Sequence, residues 1–235
     1  MKRKGTIVVL VLAVLMLSTT AFAASQFEDL EGHWAEHQVR EWIDEGLAEG
    51  YPDGTFRPDE SVTRAEFVTW INRAFETPAA ATGADFTDVP ETAWFYDDVS
   101  AAVEAGITDG YPDGIFRPQA PITRQEAVLI LARQLDLPAA TGIEFLDIEE
   151  VADWAREAVD AVSDAELITG YPDGTFGPQR PITRTETVII LDRGLDYEVD
   201  EYAADNLNIE EIATNSWELS EDEPAAAIGD VSVTF

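Results

Sequence analysis

Three arginines with the same sequence neighbours are the strongest candidates for ligand binding in this chain. Each follows a threonine and stands two positions before a glutamate. Thr-x-x-Glu predicts a capping box, in which both side chains bind backbone amides at the start of a helix. The arginine then takes the first helical position, where the helix dipole disfavours a cation. Capping explains the threonine and glutamate but not the arginines, which are Arg64, Arg124 and Arg184.

These arginines fit two interpretations. A guanidinium beside helix amides suits a carboxylate or a phosphate group of a ligand. The alternative is an internal ion pair, for instance from Arg64 to Asp53 or Asp59. An exposed pair of this kind contributes little to stability. The sequence leaves both interpretations open.

A tryptophan near the start of each predicted first helix is the second candidate. Trp34, Trp94 and Trp154 recur at intervals of 60 residues. An exposed indole could cover the apolar side of a sugar ring. A large aromatic side chain on an amphipathic helix face more often packs in the core, and the sequence favours that interpretation.

Residues suited to metal binding or catalysis form no complete site in the sequence. His33 and His37 lie four apart on a predicted helix, but no third ligand is evident. Asp53-Gly54 lacks the spaced carboxylates of a calcium loop. The sequence has no cysteine nucleophile and none of the Gly-x-Ser-x-Gly, His-Glu-x-x-His or phosphate-loop motifs. We therefore predict no catalytic residue, metal ion or cofactor.

A 60-residue internal repeat positions these motifs. Tyr-Pro-Asp-Gly occurs at 51–54, 111–114 and 171–174, and its residues favour a tight turn. Apolar residues at helical spacing come before the turn and again after the capping box. Each repeat is therefore predicted to be helix, turn loop, helix. One such unit cannot bury both apolar faces alone, so three must share a core.

The predicted cap at the end of the first helix differs in repeat three. Gly46 and Gly106 are predicted to provide left-handed caps for the first helices of repeats one and two. Ala165 stands in the corresponding place of repeat three, so we predict a poorer cap there.

Composition predicts an exported and strongly acidic protein. Basic residues at 2–4, an apolar run over 6–17 and a small-x-small motif at 21–23 predict a signal peptide, with an uncleaved anchor as the alternative. Without those three basic residues, 11 of the 14 Lys and Arg face 47 Asp and Glu, a net charge of −36. Such a field repels nucleic acid and anionic lipid, so neither partner is predicted. No later stretch predicts a membrane span.

The period and the composition divide the chain into five segments. We predict a signal peptide over 1–23, repeats over 24–83, 84–142 and 143–197, and an acidic, flexible tail over 198–235. No disulfide can support the fold, because the chain has no cysteine. Stability must therefore come from a packed core.

The ordered motifs carry a resemblance to a known family. Phe-x-Asp, Trp, Gly-Tyr-Pro-Asp-Gly and Thr-Arg-x-Glu, three times over in residues 25–197, resemble the S-layer homology (SLH) domain. The resemblance implies a mainly α fold, with three repeats in a pseudo-threefold arrangement, a central helical bundle and grooves between neighbouring repeats.

The resemblance also implies a function. It indicates a secreted, non-enzymatic anchor at the cell wall or S-layer that binds a secondary cell-wall polysaccharide, which often carries a pyruvate ketal. The ligand contacts that it implies are Arg64, Arg124 and Arg184, with Trp34, Trp94 and Trp154 as groove aromatics. A structural S-layer component and a small glycan hydrolase with paired carboxylates are the alternatives.

Repeat three departs from the other two. Arg57 and Arg117 have no counterpart there, because Gly177 stands in that position. We therefore expect unequal grooves, with the groove that depends on repeat three the weakest.

Overall fold

The computed structural model describes residues 27–141 and 144–197 of the 235-residue chain. The predicted signal peptide over 1–23 and the predicted acidic tail over 198–235 lie outside these ranges. The mainly α prediction is confirmed, since the described residues contain six α-helices and no extended strand. Helix bounds are α1 Glu36–Asp44, α2 Arg64–Ala74, α3 Tyr96–Glu104, α4 Arg124–Gln134, α5 Asp153–Asp164 and α6 over 184–197.

Short 3-10 turns precede two of the helices, at Glu28–Leu30 and Ile148–Glu150. Within the described part of the chain, no helix is both long and apolar enough to span a bilayer.

The second helix of each repeat begins as the sequence predicts. Thr63 Oγ1 accepts the Glu66 backbone N–H at 3.2 Å, and the Glu66 carboxylate accepts the Thr63 backbone N–H at 2.8 Å. The same reciprocal pair forms at 123 and 126 and at 183 and 186. All three capping boxes are therefore present, and each arginine stands at the first helical position.

The first helices end in left-handed residues in all three repeats. Gly46 and Gly106 have φ of 74° and 76°, as predicted. In repeat three the left-handed residue is Glu166, with φ 58°, whereas Ala165 is right-handed. The prediction at Ala165 was wrong by one residue, because Glu166 is the residue 60 positions after Gly106. A side chain in this conformation costs roughly 1–2 kcal/mol.

The Phe-x-Asp aspartates hold the loop that follows each turn. Asp29 accepts the backbone N–H groups of Phe56 at 3.0 Å and Arg57 at 2.6 Å. Asp88 and Asp147 accept the equivalent pairs in repeats two and three. Charge-assisted bonds of this kind are strong. They fasten the opening of each repeat to the loop that leads into its second helix.

Three buried residues join the repeats into a closed ring. Val62 N–H donates to the Ile182 carbonyl, Ile182 N–H to the Ile122 carbonyl and Ile122 N–H to the Val62 carbonyl, at 3.0–3.1 Å. All three side chains are fully buried. The N-termini of α2, α4 and α6 meet around this pseudo-threefold ring.

Each second helix packs on the first helix of the next repeat. α2 contacts α3, and α4 contacts α5. The last pair joins the two ends of the repeat array, because Trp42 Nε1 on α1 donates to Asp192 Oδ1 on α6 at 2.8 Å. The core is therefore shared by all three repeats.

Candidate ligand-binding grooves

Arg64 is buried and reaches into the next repeat. Its side chain is only 8% exposed. Nη2 donates to Thr108 Oγ1 at 3.0 Å and to the Asp109 carbonyl at 2.7 Å. Arg64 does form an internal ion pair, but its partner is Glu126 of the neighbouring repeat at 3.9 Å, and not Asp53 or Asp59 as the sequence suggested.

A carboxylate and a tyrosine complete the Arg64 cluster. Glu126 Oε1 lies 3.9 Å from Arg64 Nη1 and accepts the Tyr111 hydroxyl. The guanidinium lies 5.2 Å from the centroid of the Tyr111 ring and 4.7 Å from that of Phe116. Burial lowers the pKa of Arg64. Burial, followed by the hydrogen bond to Glu126, raises the pKa of Tyr111 to about 12.

The cluster recurs twice around the ring. Arg124 Nη2 donates to the Thr169 carbonyl at 2.8 Å, and Arg184 Nη2 donates to the Glu49 carbonyl at 2.6 Å. Burial lowers the pKa of both arginines. Each arginine therefore joins its own repeat to the next, and the last one joins repeat three to repeat one. The accompanying carboxylate and tyrosine are Glu186 and Tyr171 for Arg124, and Glu66 and Tyr51 for Arg184.

The helix amides beside the arginines are already occupied. The backbone N–H groups of Arg64 and Ala65 donate to the carbonyls of Ala120 and Pro118, each at 2.9 Å. The third amide is capped by Thr63. The expectation that amides and guanidinium bind one anion together was therefore wrong, since only the guanidinium has donors to offer.

Two of the arginines keep unused donors. The Nε groups of Arg64 and Arg124 are buried and have no hydrogen-bond partner, whereas Arg184 Nε donates to the Phe56 carbonyl at 2.7 Å. The Nη1 groups of Arg64 and Arg124 form only long ion pairs of 3.9 Å with glutamate. The buried Nε atoms are closed to a ligand, so Nη1 is the group that keeps hydrogen-bonding capacity for an incoming anion.

A cavity of about 340 Å³ opens beside Arg64, and we name it the Arg64 groove. Its floor and walls come from the end of α3, the turn of repeat two and one face of α4. Trp154 of repeat three completes it. The lining residues are Arg64, Thr108, Asp109, Gly110, Tyr111, Pro112, Glu126, Leu129, Ile130, Arg133 and Trp154.

A second cavity of about 220 Å³ opens beside Arg124, and we name it the Arg124 groove. It is built in the same way from the turn of repeat three and one face of α6. Trp34 of repeat one completes it. The lining residues are Trp34, Arg124, Ile168, Thr169, Gly170, Tyr171, Glu186, Ile189, Ile190 and Arg193.

The predicted core position of the three tryptophans was wrong. Trp34, Trp94 and Trp154 are 68%, 62% and 52% exposed. Trp34 and Trp94 precede their helices, so they do not lie on the apolar helix face. Trp94 precedes α3, which is fixed to α2 by the bond from Thr69 Oγ1 to Asp98 at 2.7 Å.

Both grooves therefore take residues from all three repeats. An arginine comes from one repeat, the turn and helix from the next and the tryptophan from the third. Sequence reasoning expected grooves between neighbouring repeats and missed the third contributor. The 60-residue period could not reveal it, because the period is the same for any arrangement of the repeats.

Repeat three also has an arginine over the tyrosine of its turn, but it is Arg180 and not residue 177. In every repeat one exposed arginine lies over the tyrosine of the turn. Gly177, with φ 71°, leaves room for this, since a Cβ there would lie 2.9 Å from Arg180 Cδ and Tyr171 Cε2. The absence of an arginine at position 177 therefore gives no reason to expect the weakest groove at repeat three, because Arg180 lies over the tyrosine there. The arginine–tyrosine pairs are Arg57–Tyr51 at 3.9 Å, Arg117–Tyr111 at 4.0 Å and Arg180–Tyr171 at 4.1 Å.

The histidines take part in ion pairs rather than in a metal site. His33 Nε2 lies 3.5 Å from Asp59, and His37 Nε2 lies 3.4 Å from Glu41. No group of three or more metal-ligating side chains occurs among residues 27–141 and 144–197.

Comparison with known proteins agrees with this architecture. The S-layer homology domain matches three times, over residues 26–68, 85–128 and 144–188. The surface-layer 125 kDa protein of Lysinibacillus sphaericus is 30% identical over 80% of this chain and 16% of its own length. Cell surface glycoprotein 1 of Acetivibrio thermocellus is 34% identical over 63% of this chain and 7% of its own length.

A third relative is the cellulosome-anchoring protein of Acetivibrio thermocellus, 31% identical over 63% of this chain and 35% of its own length. The chain thus spans about a third or less of each of these relatives. The three matched segments cover more than half of the chain and coincide with the three repeats of the structure. The chain belongs to the S-layer homology domain family and carries three SLH repeats.

Proposed function

We propose that this chain is a non-enzymatic anchor that binds a secondary cell-wall polysaccharide in its grooves. The observation that carries the proposal is that one cavity holds both an arginine whose Nη1 makes only a long ion pair of 3.9 Å and an exposed tryptophan. The family and its surface-layer and anchoring relatives support a secreted protein of the cell wall or S-layer.

The two groups suit the two chemistries of an acidic sugar. A pyruvate ketal presents a carboxylate, which Arg64 or Arg124 can bind through charge-assisted hydrogen bonds. The pyranose ring presents apolar C–H groups, which the indole of Trp154 or Trp34 can cover. Ligand cavities commonly measure about 300–1,000 Å³. The Arg64 groove, at about 340 Å³, lies at the lower end of that range, and the Arg124 groove, at about 220 Å³, is smaller, so each suits no more than a short unit of a polymer.

Glu126 and Glu186 are the carboxylates that lie next to the buried guanidinium groups of Arg64 and Arg124. At 3.9 Å they balance the buried charge without a direct hydrogen bond to Nη1. Each glutamate also accepts a tyrosine hydroxyl and caps its helix. A ligand carboxylate can therefore bind the arginine without breaking a close ion pair.

A hydrolase mechanism finds little support in the Arg124 groove. Glycoside hydrolysis generally needs two carboxyl groups that flank the scissile bond. Glu186 is the one carboxylate among the described residues that line this groove, and it is held by Tyr171 at 2.8 Å. The Arg64 groove is lined by two carboxylates, but Asp109 accepts a hydrogen bond from Arg133 and Glu126 accepts one from the Tyr111 hydroxyl. We therefore assign binding, and not turnover, to both grooves.

Sedimentation with purified cell walls tests the proposal. We expect the wild-type protein to sediment with untreated walls and to stay in solution with walls stripped of their secondary polymer, with no reducing sugar released. Arg64→Gln and Arg124→Gln should each weaken sedimentation, and the double variant should abolish it. Arg156→Gln, outside both grooves, is the matched control.

Circular dichroism must show that the arginine variants fold, because both side chains are buried. Normal binding by a folded double variant would contradict the proposed site. Retention on stripped walls would instead support a structural S-layer component that assembles without the polymer.

A further inference from the structure

The two grooves differ in charge at a second arginine. Arg73, Arg133 and Arg193 take equivalent positions, 60 residues apart, in α2, α4 and α6. Arg133 Nη1 donates to Asp109 Oδ2 at 2.7 Å in the Arg64 groove. Beside Arg184, Arg73 Nη1 donates to Glu49 Oε1 at 3.2 Å.

Arg193 in the Arg124 groove has no such partner. The position of Asp109 and Glu49 is taken by Thr169, which carries no charge. Arg193 Nη1 donates instead to the Leu167 carbonyl at 3.3 Å. The change from carboxylate to threonine leaves this guanidinium charge without a counterion at the groove.

Two carboxylates near Arg193 already have hydrogen-bond partners. Asp192, the neighbour of Arg193 on α6, accepts the indole N–H of Trp42. Glu186 lies beside Arg124 and accepts the Tyr171 hydroxyl. In the part of the chain that the structure describes, Arg193 takes part in no ion pair, although the protein has 47 acidic residues.

The charged lining residues show the same difference. The Arg64 groove is lined by two arginines and two carboxylates, whereas the described lining of the Arg124 groove has two arginines and one carboxylate, Glu186. The wall of the Arg124 groove is therefore more positive than that of the Arg64 groove.

We propose that the Arg124 groove selects a ligand unit with two anionic groups, one bound by Arg124 and one by Arg193. The Arg64 groove, where Asp109 neutralises Arg133, takes a unit with one. The chemical class is an acidic glycan that carries a second carboxylate or phosphate within the bound unit. Thr169 is the specificity-determining residue, and the proposal rests on the function proposed above.

The two rim tryptophans allow each groove to be followed separately in the intact chain. The indole ¹H–¹⁵N signals of Trp34 and Trp154 report on the Arg124 and Arg64 grooves, and Trp→Phe variants assign them. Two probes are titrated. One is a methyl hexosaminide with a 4,6-O-pyruvyl ketal, and the other is the same glycoside with an added phosphodiester, prepared at either end of the unit.

We expect the dianionic probe to bind at Trp34 about tenfold more tightly than the monoanionic probe, a difference of about 1.4 kcal/mol. At Trp154 the two probes should bind alike. Thr169→Asp should remove the preference at Trp34, and Thr169→Ser should keep it. Asp109→Thr should create the preference at Trp154.

The outcomes separate this inference from the proposed function. Equal affinity of the two probes at Trp34, or an unchanged preference in Thr169→Asp, overturns the two-anion assignment and leaves the anchoring function standing. An absence of shifts at both tryptophans with either probe overturns the proposed binding site and the inference with it.

Discussion

Among single residues, Arg64 and Arg124 matter most to the proposed binding, because each joins two repeats and lines a groove. Arg64 stands out because a cation at the first helical position opposes the dipole. Its partners Thr108 and Asp109 lie more than 40 residues away, so no local pattern could name them. Trp34 was assigned to the core because it continues the helical spacing. The helix begins two residues later, which leaves the indole outside.

Tyr111 predicts how stability depends on alkaline pH. Its pKa is raised from 10.0 to about 12 in the folded protein, first by burial and then by Glu126. The native state therefore holds more protons than the unfolded state between pH 10 and 12, and the free energy of unfolding falls as pH rises through this window. Urea unfolding at pH 9 and 11.5 should show the decline.

Tyr111→Phe provides the comparison. Without the hydroxyl the variant should be less stable at pH 9, because Glu126 loses a donor, and its decline towards pH 11.5 should be smaller. Tyr51 and Tyr171, whose pKa values are also raised by burial, keep part of the decline in both proteins. An identical decline in wild type and variant would contradict the assigned cause.

At the scale of elements, local rules predicted the helices and their caps well. Thr-x-x-Glu fixed the start of α2, α4 and α6, because both ends of a capping box lie within four residues. The role of the Phe-x-Asp aspartates could not be predicted. Their carboxylates accept hydrogen bonds from backbone N–H groups 27–30 residues further on, as Asp29 accepts one from Phe56.

Gly177 predicts a local cost in the loop of repeat three. Gly177→Ala combines a positive φ with a Cβ 2.9 Å from Arg180 Cδ and Tyr171 Cε2, whereas Gly46→Ala has the positive φ and no atom within 4 Å. Gly46→Ala should cost about 1–2 kcal/mol of stability. Gly177→Ala should cost more, measured by urea unfolding.

Arg180→Ala separates the two contributions at Gly177. Removal of the arginine side chain should recover part of the extra loss in Gly177→Ala. Equal stabilities of Gly177→Ala and Gly46→Ala would mean that the loop accommodates the methyl group and that the space for Arg180 is not limiting.

At the scale of the whole molecule, three repeats close into a ring and do not form an open array. The prediction of three repeats around a shared centre followed from the period and the family resemblance. The closure itself depends on contacts such as Trp42 with Asp192, 150 residues apart, which no short-range pattern encodes. The inclusion of a third repeat in each groove is a consequence of that closure.

Ring closure predicts cooperative unfolding. Open repeat arrays can unfold piece by piece, because each repeat contacts only its neighbours. Here every repeat contacts both others, so tryptophan fluorescence and far-ultraviolet circular dichroism should give one coincident urea transition. Asp192→Ala, which breaks a contact between the first and last repeats, should shift the whole transition. Two separated transitions would contradict a shared core.

We propose that an acidic wall polymer binds in grooves built from all three repeats. Calorimetric titration of the intact chain with purified secondary cell-wall polysaccharide, comparing wild type with Trp34→Ala plus Trp154→Ala, tests this binding. Both indoles are exposed, so the double variant should fold normally. We predict an affinity loss of at least about tenfold, or about 1.4 kcal/mol. Unchanged affinity in the folded double variant would contradict the claim.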